Sequence, residues 1–173
     1  MKTIIISIFA ICLITGCTPP KEEIDIAKEE EAIKAVIENA TAAWVARNLD
    51  GLTATSVTDE TFIRLGASKT GFAYSVGWED RASSAEEFFK NNPNPVAVKF
   101  ENKNYNLKVY QESAWAAYEE NWYDNQGEYL GMSINVRFLE KVDEKWKIAY
   151  ISVVGTTSYE DDEENEDEDE DDD

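Results

Sequence analysis

The stretch Lys28–Arg47, KEEEAIKAVIENATAAWVAR, decides how the N-terminal half of the chain folds. Its apolar residues recur at steps of four, three and four, and they form one stripe: Ile33, Ile37, Ala40 and Trp44, widened by Val36 and Ala43. This spacing matches one face of an α-helix, so it predicts a long amphipathic helix over Lys28–Arg47. Asn48-Leu49-Asp50-Gly51 follows and carries the residues that end helices.

Shorter elements are predicted before the second half of the chain. Leu52–Val57 is expected to form a second helix and Thr61–Leu65 a strand, with a loop between Gly66 and Gly71. Ser83 stands just ahead of two glutamates, which is typical of a helix start, and Asn91-Asn92-Pro93 is typical of a helix end. We therefore expect a third, short helix from Ser83 to Lys90.

From Val96 onward the apolar residues alternate with period two. Val96–Tyr110 contains two alternating runs with a break at Asn102 to Asn104, which predicts one bulged strand or two short strands. Strands are also predicted over Ser113–Tyr123, Gly131–Glu140 and Trp146–Val154, with turns between them. Helices followed by a meander predict an α+β domain, with the helices packed on one face of an antiparallel sheet.

The N-terminus has the features of a bacterial targeting segment. Lys2 precedes a largely apolar run, Ile4–Ile14, which is too short to span a bilayer as a helix. Ile14-Thr15-Gly16-Cys17 resembles the bacterial lipobox, and the resemblance implies cleavage after Gly16 and lipidation of Cys17. The alternative is a secretory signal that is cut elsewhere. Cys12 would leave with residues 1–16, so the domain is expected to fold without a disulfide.

The two ends of the mature chain flank a single predicted domain over residues 28–159. Residues 17–27 include two prolines and are expected to form a flexible tether. At the other end, thirteen of the fourteen residues from Glu160 to Asp173 are acidic, which predicts a disordered tail. We expect a lipid-anchored protein of the bacterial cell envelope, on the outer membrane, that faces the periplasm or is displayed at the surface.

Composition excludes several classes of function. Lys and Arg number 16 against 36 Asp and Glu, a formal net charge of -20, so a nucleic-acid partner is not expected. The chain has no histidine, which excludes Ser-His-Asp and Cys-His catalysis and the histidine zinc sites. Neither a cofactor nor a metal site is indicated.

The order of these elements resembles the NTF2-like superfamily, in particular its SnoaL-like and calcium/calmodulin-kinase-association-like domains. The resemblance rests on a long first helix with Trp44 near its end and Asp50 beyond it, and on a meander that closes on Trp146-Lys147-Ile148. It implies a cystatin-like cone, in which a strongly curved antiparallel sheet wraps the long helix and leaves a pocket. It also implies that a homodimer can form through the convex face of the sheet.

Catalytic members of this superfamily often carry histidines four and six residues after the last-strand tryptophan, facing into the cone. Here those positions hold Tyr150 and Ser152. Period two places them on the same face as Trp146 and Ile148, so we expect both to face the pocket. Because the usual base is missing, a function without catalysis is favoured, and whether the chain is an enzyme stays open.

Strand Ser113–Tyr123 offers another candidate base. One face carries Ala114, Ala116, Tyr118, Glu120 and Trp122, and its alanines favour that face as the concave one, although period two alone leaves both faces open. Glu120 would then be a carboxylate in an apolar pocket beside Tyr118, with a raised pKa. The alternative is that Glu119 or Glu120 is solvated while the other pairs with Arg137 or Lys147.

The candidate residues fall into two overlapping sets. The catalytic candidates are Glu120, Tyr118, Tyr150 and Asp80, and the expected ligand-binding residues are Trp44, Trp78, Tyr118, Trp122, Tyr150 and Ser152. Asp80 could instead cap the third helix, and most of the tryptophans could serve only as core.

Three functional hypotheses follow from these candidates. The first is a cone that binds a small apolar or amphipathic ligand, or a partner, without catalysis. The second is an acid–base isomerase, cyclase or dehydratase that uses a pocket carboxylate and a tyrosine. The third is an interaction module whose acidic tail docks a basic partner or cations.

Overall fold

A computed structural model describes residues 24–68 and 71–157 of the chain. The helices are α1 (Ile26–Val45), α2 (Leu49–Thr55) and α3 (Trp78–Asn91). The strands are β1 (Ile63–Ser68), β2 (Gly71–Val76), β3 (Lys99–Val109), β4 (Ser113–Tyr123), β5 (Tyr129–Val142) and β6 (Lys145–Thr157). No helix in this part of the chain has the length and apolar character needed to cross a bilayer. The predicted signal segment, Cys17 and the acidic tail lie outside the described residues.

The strands form one six-stranded sheet in the order β2-β1-β6-β5-β4-β3. Strands β3 to β6 make the predicted antiparallel meander. The expectation of a wholly antiparallel sheet is wrong at one place, because β1 pairs with β6 in parallel. β1 enters the sheet from the helices and not through a hairpin with β6, so no turn forces these two strands to run in opposite directions.

Helix α1 packs on the sheet and supplies Ile33, Ile37 and Ala40 to the main core cluster. The side chain of Asp25 caps its first turn by accepting a hydrogen bond from the Lys28 amide at 3.2 Å. Ile33 and Ile37 are fully buried against the sheet, which stabilises the fold by about 2 to 3 kcal/mol for each side chain. Ala114 and Ala116 of β4 are also fully buried, and their small size lets the helix approach the sheet closely.

Two bulges bend the meander. In β3 the register shifts between Lys103 and Asn106, and Asn104 adopts a φ of 53°, where the sequence predicts a break. In β6 the register shifts so that Leu139 pairs with Ile148 and Phe138 with Tyr150. Ala149 is therefore an extra residue in β6, and the faces of all later side chains are reversed relative to strict alternation.

The β6 bulge overturns one prediction. Ile151 and Val153, not Tyr150 and Ser152, follow Ile148 on the inner face of the sheet. Tyr150 pairs with the exposed Phe138 on the outer face, and Ser152 lies on that same outer face. The reason is geometric, because a strand that wraps a helix has to bend and a bulge is the usual way to bend it.

Two further segments differ from the sequence prediction. The loop expected between Gly66 and Gly71 is the end of a hairpin, because β1 runs on to Ser68 and pairs with β2. Helix α3 begins at Trp78, so Ser83 lies inside it and does not cap it. Gly77 adopts a φ of 80° at the helix start, and the acidic Glu79 and Asp80 occupy the first turn, where negative charge is favourable.

Candidate functional site

The interior of the cone holds a cavity of about 140 Å³ between α1 and the sheet. We call it the arginine pocket, because Arg64 of β1, Arg81 of α3 and Arg137 of β5 all line it. One carboxyl group, that of Glu120, also lines the wall. The rest of the wall is mainly aromatic and aliphatic: Trp44, Trp78, Trp122, Phe62, Leu52, Ile151 and Val153.

None of the three arginines forms a salt bridge among the described residues, although the charge of Arg137 acts on Glu120 in the pocket wall. Arg81 is only 7% exposed, and its guanidinium lies 4.7 Å from the centre of the Trp44 ring. Arg137 donates a single long hydrogen bond, from Nη1 to the carbonyl oxygen of Ser152 at 3.4 Å. Each guanidinium carries five N–H donors, so most donors of this cluster have no acceptor in the described part of the protein.

Burial and mutual repulsion act on these charges. The pKa of Arg81 is lowered to about 9, first by burial and then by the positive charges of Arg64 and Arg137. Burial also lowers the pKa of Arg64, and Arg137 adds to the effect. Arg81 still carries its proton at neutral pH, so the pocket gathers three positive charges, two of them on buried side chains and one on the half-buried Arg64. Such an arrangement favours the binding of carboxylate or phosphate oxygens, which match the planar fork of arginine.

Glu120 is the acidic residue of the pocket and is 3% exposed. Its Oε2 accepts a hydrogen bond of 2.8 Å from the Thr41 hydroxyl on α1. Burial raises the pKa of Glu120, against the opposing effects of the Arg137 charge and the Thr41 hydrogen bond. Glu119 lies on the other face, where it accepts a hydrogen bond from Asn104 at 2.7 Å. The face of β4 favoured by its alanines is thus the buried one.

Tyr118 lies in the core and does not line the arginine pocket. Its ring stacks on that of Tyr105, with 5.0 Å between the ring centres. Burial raises the pKa of Tyr118 and raises that of Tyr105 to about 12. Both phenols are therefore protonated at neutral pH.

Three of the expected ligand-binding residues, Trp44, Trp78 and Trp122, do line the pocket. Each also packs within the protein. Trp44 stacks on Phe88 at 5.0 Å, and Trp78 meets Phe62 edge to face at 5.4 Å. From the sequence alone, core packing and pocket lining are alternative roles for a tryptophan. Trp44 and Trp78 have both roles.

Besides Tyr118, three predicted site residues lie outside the pocket. Tyr150 and Ser152 are on the outer face of the sheet, because of the bulge at Ala149. Asp80 is exposed on the first turn of α3, where its carboxylate accepts a 3.3 Å hydrogen bond from the Val76 amide. Asp80 thus ties α3 to the end of β2, outside the pocket.

The pocket arginines were not among the predicted ligand-binding residues. Arg64 stands in Phe62-Ile63-Arg64-Leu65 and Arg137 in Val136-Arg137-Phe138-Leu139, each inside an apolar strand. A charged residue in the middle of an apolar strand can be recognised from the sequence as a candidate for a buried functional charge. Charged residues that only face solvent are more common near the ends of strands. Local pattern does not show that both side chains reach one cavity.

A second and larger groove, of about 970 Å³, lies on the far side of α1. Alanines form much of its floor, and Lys28, Lys141, Lys145 and Lys147 stand around it. Lys141 is already paired with Glu29 at 2.9 Å, and Glu29 also accepts a hydrogen bond from the Trp146 ring nitrogen. Because this groove holds no buried unpaired charge, we place the candidate site in the arginine pocket. Within residues 24–68 and 71–157, no group of three or more acidic or cysteine side chains could hold a metal ion.

The fold is similar to that of several solved bacterial proteins. A protein of unknown function with a cystatin-like fold from Nostoc punctiforme matches with a TM-score of 0.62 at 12% identity, over 75% of this chain and 92% of that one. An NTF2-like protein of unknown function from Pseudomonas putida matches with a TM-score of 0.62 at 16% identity, over 76% and 89%. A calcium/calmodulin-dependent protein kinase type II association domain from Thiobacillus denitrificans matches with a TM-score of 0.59 at 14% identity, over 70% and 93%.

No protein-family model and no curated protein matches the sequence. The structural similarity, together with helices packed on a six-stranded sheet, bears out the α+β fold that the sequence predicts and the cone that the resemblance implies. The chain has the NTF2-like, or cystatin-like, fold.

Proposed function

We propose that the cone binds a small amphipathic ligand with one anionic group and catalyses no reaction on it. The observation that carries this proposal is the set of three arginines that face an aromatic cavity, none of which forms a salt bridge among the described residues. Burying unpaired charge costs free energy, and a bound anion would offset that cost. The chemistry of the site thus favours a ligand whose charge complements the arginines.

The size and walls of the pocket define the rest of the ligand. A volume of about 140 Å³ is close to that of an engineered cavity that holds one benzene ring. Trp44, Ile151 and Val153 offer an apolar surface to such a group. A single-ring or short aliphatic carboxylate combines an apolar body with an anionic end and fits both features.

Benzoate is a suitable probe, and benzyl alcohol is its neutral counterpart with the same ring. We expect benzoate to quench or shift the fluorescence of the pocket tryptophans with saturation, and benzyl alcohol to bind more weakly. Arg137→Gln should weaken benzoate binding by about 10-fold to 100-fold, because it removes hydrogen bonds to a charged group. Arg47→Gln is the matched control, because Arg47 lies outside the pocket. Equal binding of the two probes, or unchanged affinity in Arg137→Gln, would contradict the proposal.

We also propose that the protein is lipid-anchored through Cys17 in the bacterial outer membrane, facing the periplasm or the surface. The lipobox-like Ile14-Thr15-Gly16-Cys17 and the short tether before α1 support this location. The test is to fractionate the natural host and to measure the mass of the mature N-terminal peptide. We expect a diacylglyceryl mass on Cys17 and loss of membrane association in Cys17→Ser. An unmodified Cys17 would contradict the anchor.

A homodimer through the outer face of the sheet is a further proposal. Ile134, Phe138 and Val154 are exposed apolar residues on strands β5 and β6. Sedimentation of the full chain should show a dimer that Phe138→Glu dissociates. A monomer at every concentration tested would refute it.

The buried Glu120 favours a second candidate function, acid–base catalysis of an isomerisation, cyclisation or dehydration. Its raised pKa brings it toward the range of a useful proton carrier, and Tyr118 is adjacent on the same strand face. This activity would be lost in Glu120→Gln, whereas ligand binding alone would survive that substitution. Turnover that is unaffected by Glu120→Gln would exclude this role.

A further inference from the structure

The arginine pocket adjoins a second concave space. This trough, of about 340 Å³, continues along the inner faces of β1, β2 and β6, and Arg64 and Val153 line both spaces. Two glycines, Gly66 and Gly155, help to line the trough, and the guanidinium of Arg64 lies over Gly66, within the trough. Gly155 lies two residues before the end of β6 at Thr157. The trough thus leads from the arginines to the point where the chain leaves the sheet.

The chain beyond β6 is long enough to return to the arginines. Arg64 pairs with Ile151, which lies about 20 Å before Thr157 along the strand. The sixteen residues from Ser158 to Asp173 can span at most about 55 Å. Treated as a random coil, a segment of this length has a root-mean-square end-to-end distance of roughly 20 to 24 Å. Self-repulsion of the acidic residues extends the segment beyond this value, so its reach exceeds the distance to be bridged.

The charges of the two partners are also complementary. Thirteen of the fourteen residues from Glu160 to Asp173 are acidic, and none of the three pocket arginines forms a salt bridge among the described residues. Glu120, the carboxyl group in the pocket wall, forms no salt bridge with them, and its electrostatic partner is Arg137 alone, which leaves Arg64 and Arg81 for a further anion. We infer that the acidic tail docks in the trough of its own chain, places carboxylates against Arg64 and its neighbours, and competes with the anionic ligand for the arginine pocket.

This inference rests on the proposed anion site and adds regulation to it. A tethered segment acts at an effective concentration of about 1 mM, so even weak binding of its carboxylates occupies the site. The tail offers many interchangeable carboxylates but no apolar body for the aromatic wall. A free ligand with both features would displace it, and the tail would exclude weaker anions.

The test uses the full chain and a variant of the same length, in which every acidic residue from Glu160 to Asp173 is replaced by its amide. Benzoate binding is measured by calorimetry at one fixed ionic strength. With an effective concentration of about 1 mM and a tail dissociation constant of about 0.1 mM, the amide-tail chain should bind benzoate about 10-fold more tightly. A synthetic peptide with the sequence EDDEENEDEDEDDD should compete with benzoate for the amide-tail chain. Arg64→Gln in that chain should weaken the binding of the peptide.

The outcomes separate docking from its alternatives. Equal benzoate affinity in the two chains would overturn the inference while the proposed function stands. A difference in affinity that the peptide cannot reproduce would also overturn it, because general repulsion by an undocked tail would then be the cause. A tail that binds calcium or a basic protein, with no competition by the peptide, would overturn it as well.

If benzoate binds neither chain, the proposed function fails on its own. The peptide titration into the amide-tail chain then decides the inference directly. Saturable peptide binding that Arg64→Gln removes would support docking, and absence of peptide binding would overturn it.

Discussion

Replacement of Arg81 by Met should stabilise the protein and weaken its binding of anions. Lowering of the Arg81 pKa to about 9 means that the buried cation costs several kcal/mol at neutral pH, since one pKa unit corresponds to about 1.4 kcal/mol. The cation–π contact of Arg81 with the Trp44 ring, at 4.7 Å, stabilises the folded state by about 1 to 2 kcal/mol and offsets part of this cost. Met has a similar length and no charge. We therefore expect Arg81→Met to raise the free energy of unfolding by about 2 kcal/mol, as observed when buried ions are replaced by apolar groups.

Urea denaturation at neutral pH measures this change, and Arg47→Met is the matched control. Arg47 also lies over the Trp44 ring, at 5.9 Å, but it donates hydrogen bonds to the carbonyl oxygens of Trp44 and Asn92. Its loss should lower the free energy of unfolding by about 1 to 2 kcal/mol, the opposite sign.

The effect of pH gives an independent check on the Arg81 prediction. Because the Arg81 pKa is lower in the folded state, the protonated group destabilises the fold below about pH 9, and this penalty fades as the pH rises further. The advantage of Arg81→Met should therefore shrink above about pH 9. A variant that is less stable than the wild type at neutral pH, or that binds benzoate unchanged, would refute the reasoning.

Three further predictions concern the pocket walls and the core. Thr41→Val removes the donor to the buried Glu120 and should cost about 1 to 2 kcal/mol in urea denaturation; no loss would show that water replaces the hydroxyl. Burial raises the pKa of Glu120, so the wild type should lose stability as the pH rises through that pKa, and Glu120→Gln should flatten this dependence; parallel pH curves would contradict it. Phe62→Ala removes a fully buried ring that meets Trp78 and should cost about 3 to 5 kcal/mol with a change in Trp78 fluorescence, whereas a loss below about 1 kcal/mol would show that Phe62 does not anchor the core.

The spacing of apolar residues was enough to predict helix α1, whose backbone hydrogen bonds lie within the helix. It was also enough for β4, in which buried and less buried residues alternate without interruption along most of the strand. Helix α1 begins and ends within two residues of its predicted bounds, because a stripe such as Ile33 and Ile37 fixes both the type of structure and its buried face. The buried face of β4 was also predictable, because Ala114 and Ala116 leave room for a helix to pack on that face. In both cases the information lies within the segment itself.

The arginine pocket could not be predicted in this way, because it depends on contacts between distant segments. Arg64 and Arg137 face the same cavity because β1 lies beside β6 in the sheet. No local feature of either segment indicates that pairing. Tyr150 and Ser152 were misplaced for a related reason. The bulge at Ala149 bends β6 so that the sheet can wrap α1. Its position therefore depends on the packing of the sheet against the helix and cannot be read from the residues of β6 alone.

The parallel pairing of β1 with β6 also bears on the order of folding. The hairpins of β3 to β6 join neighbouring segments, whereas Ile63 and Tyr150 must meet across most of the domain. Distant contacts form late because closing long loops costs entropy before any contact is gained. We expect substitutions at the β1–β6 junction to speed unfolding and to leave the folding rate nearly unchanged. Arg64 would then join the other two arginines only at the end of folding, so a chain that has formed only its meander cannot yet hold an anion.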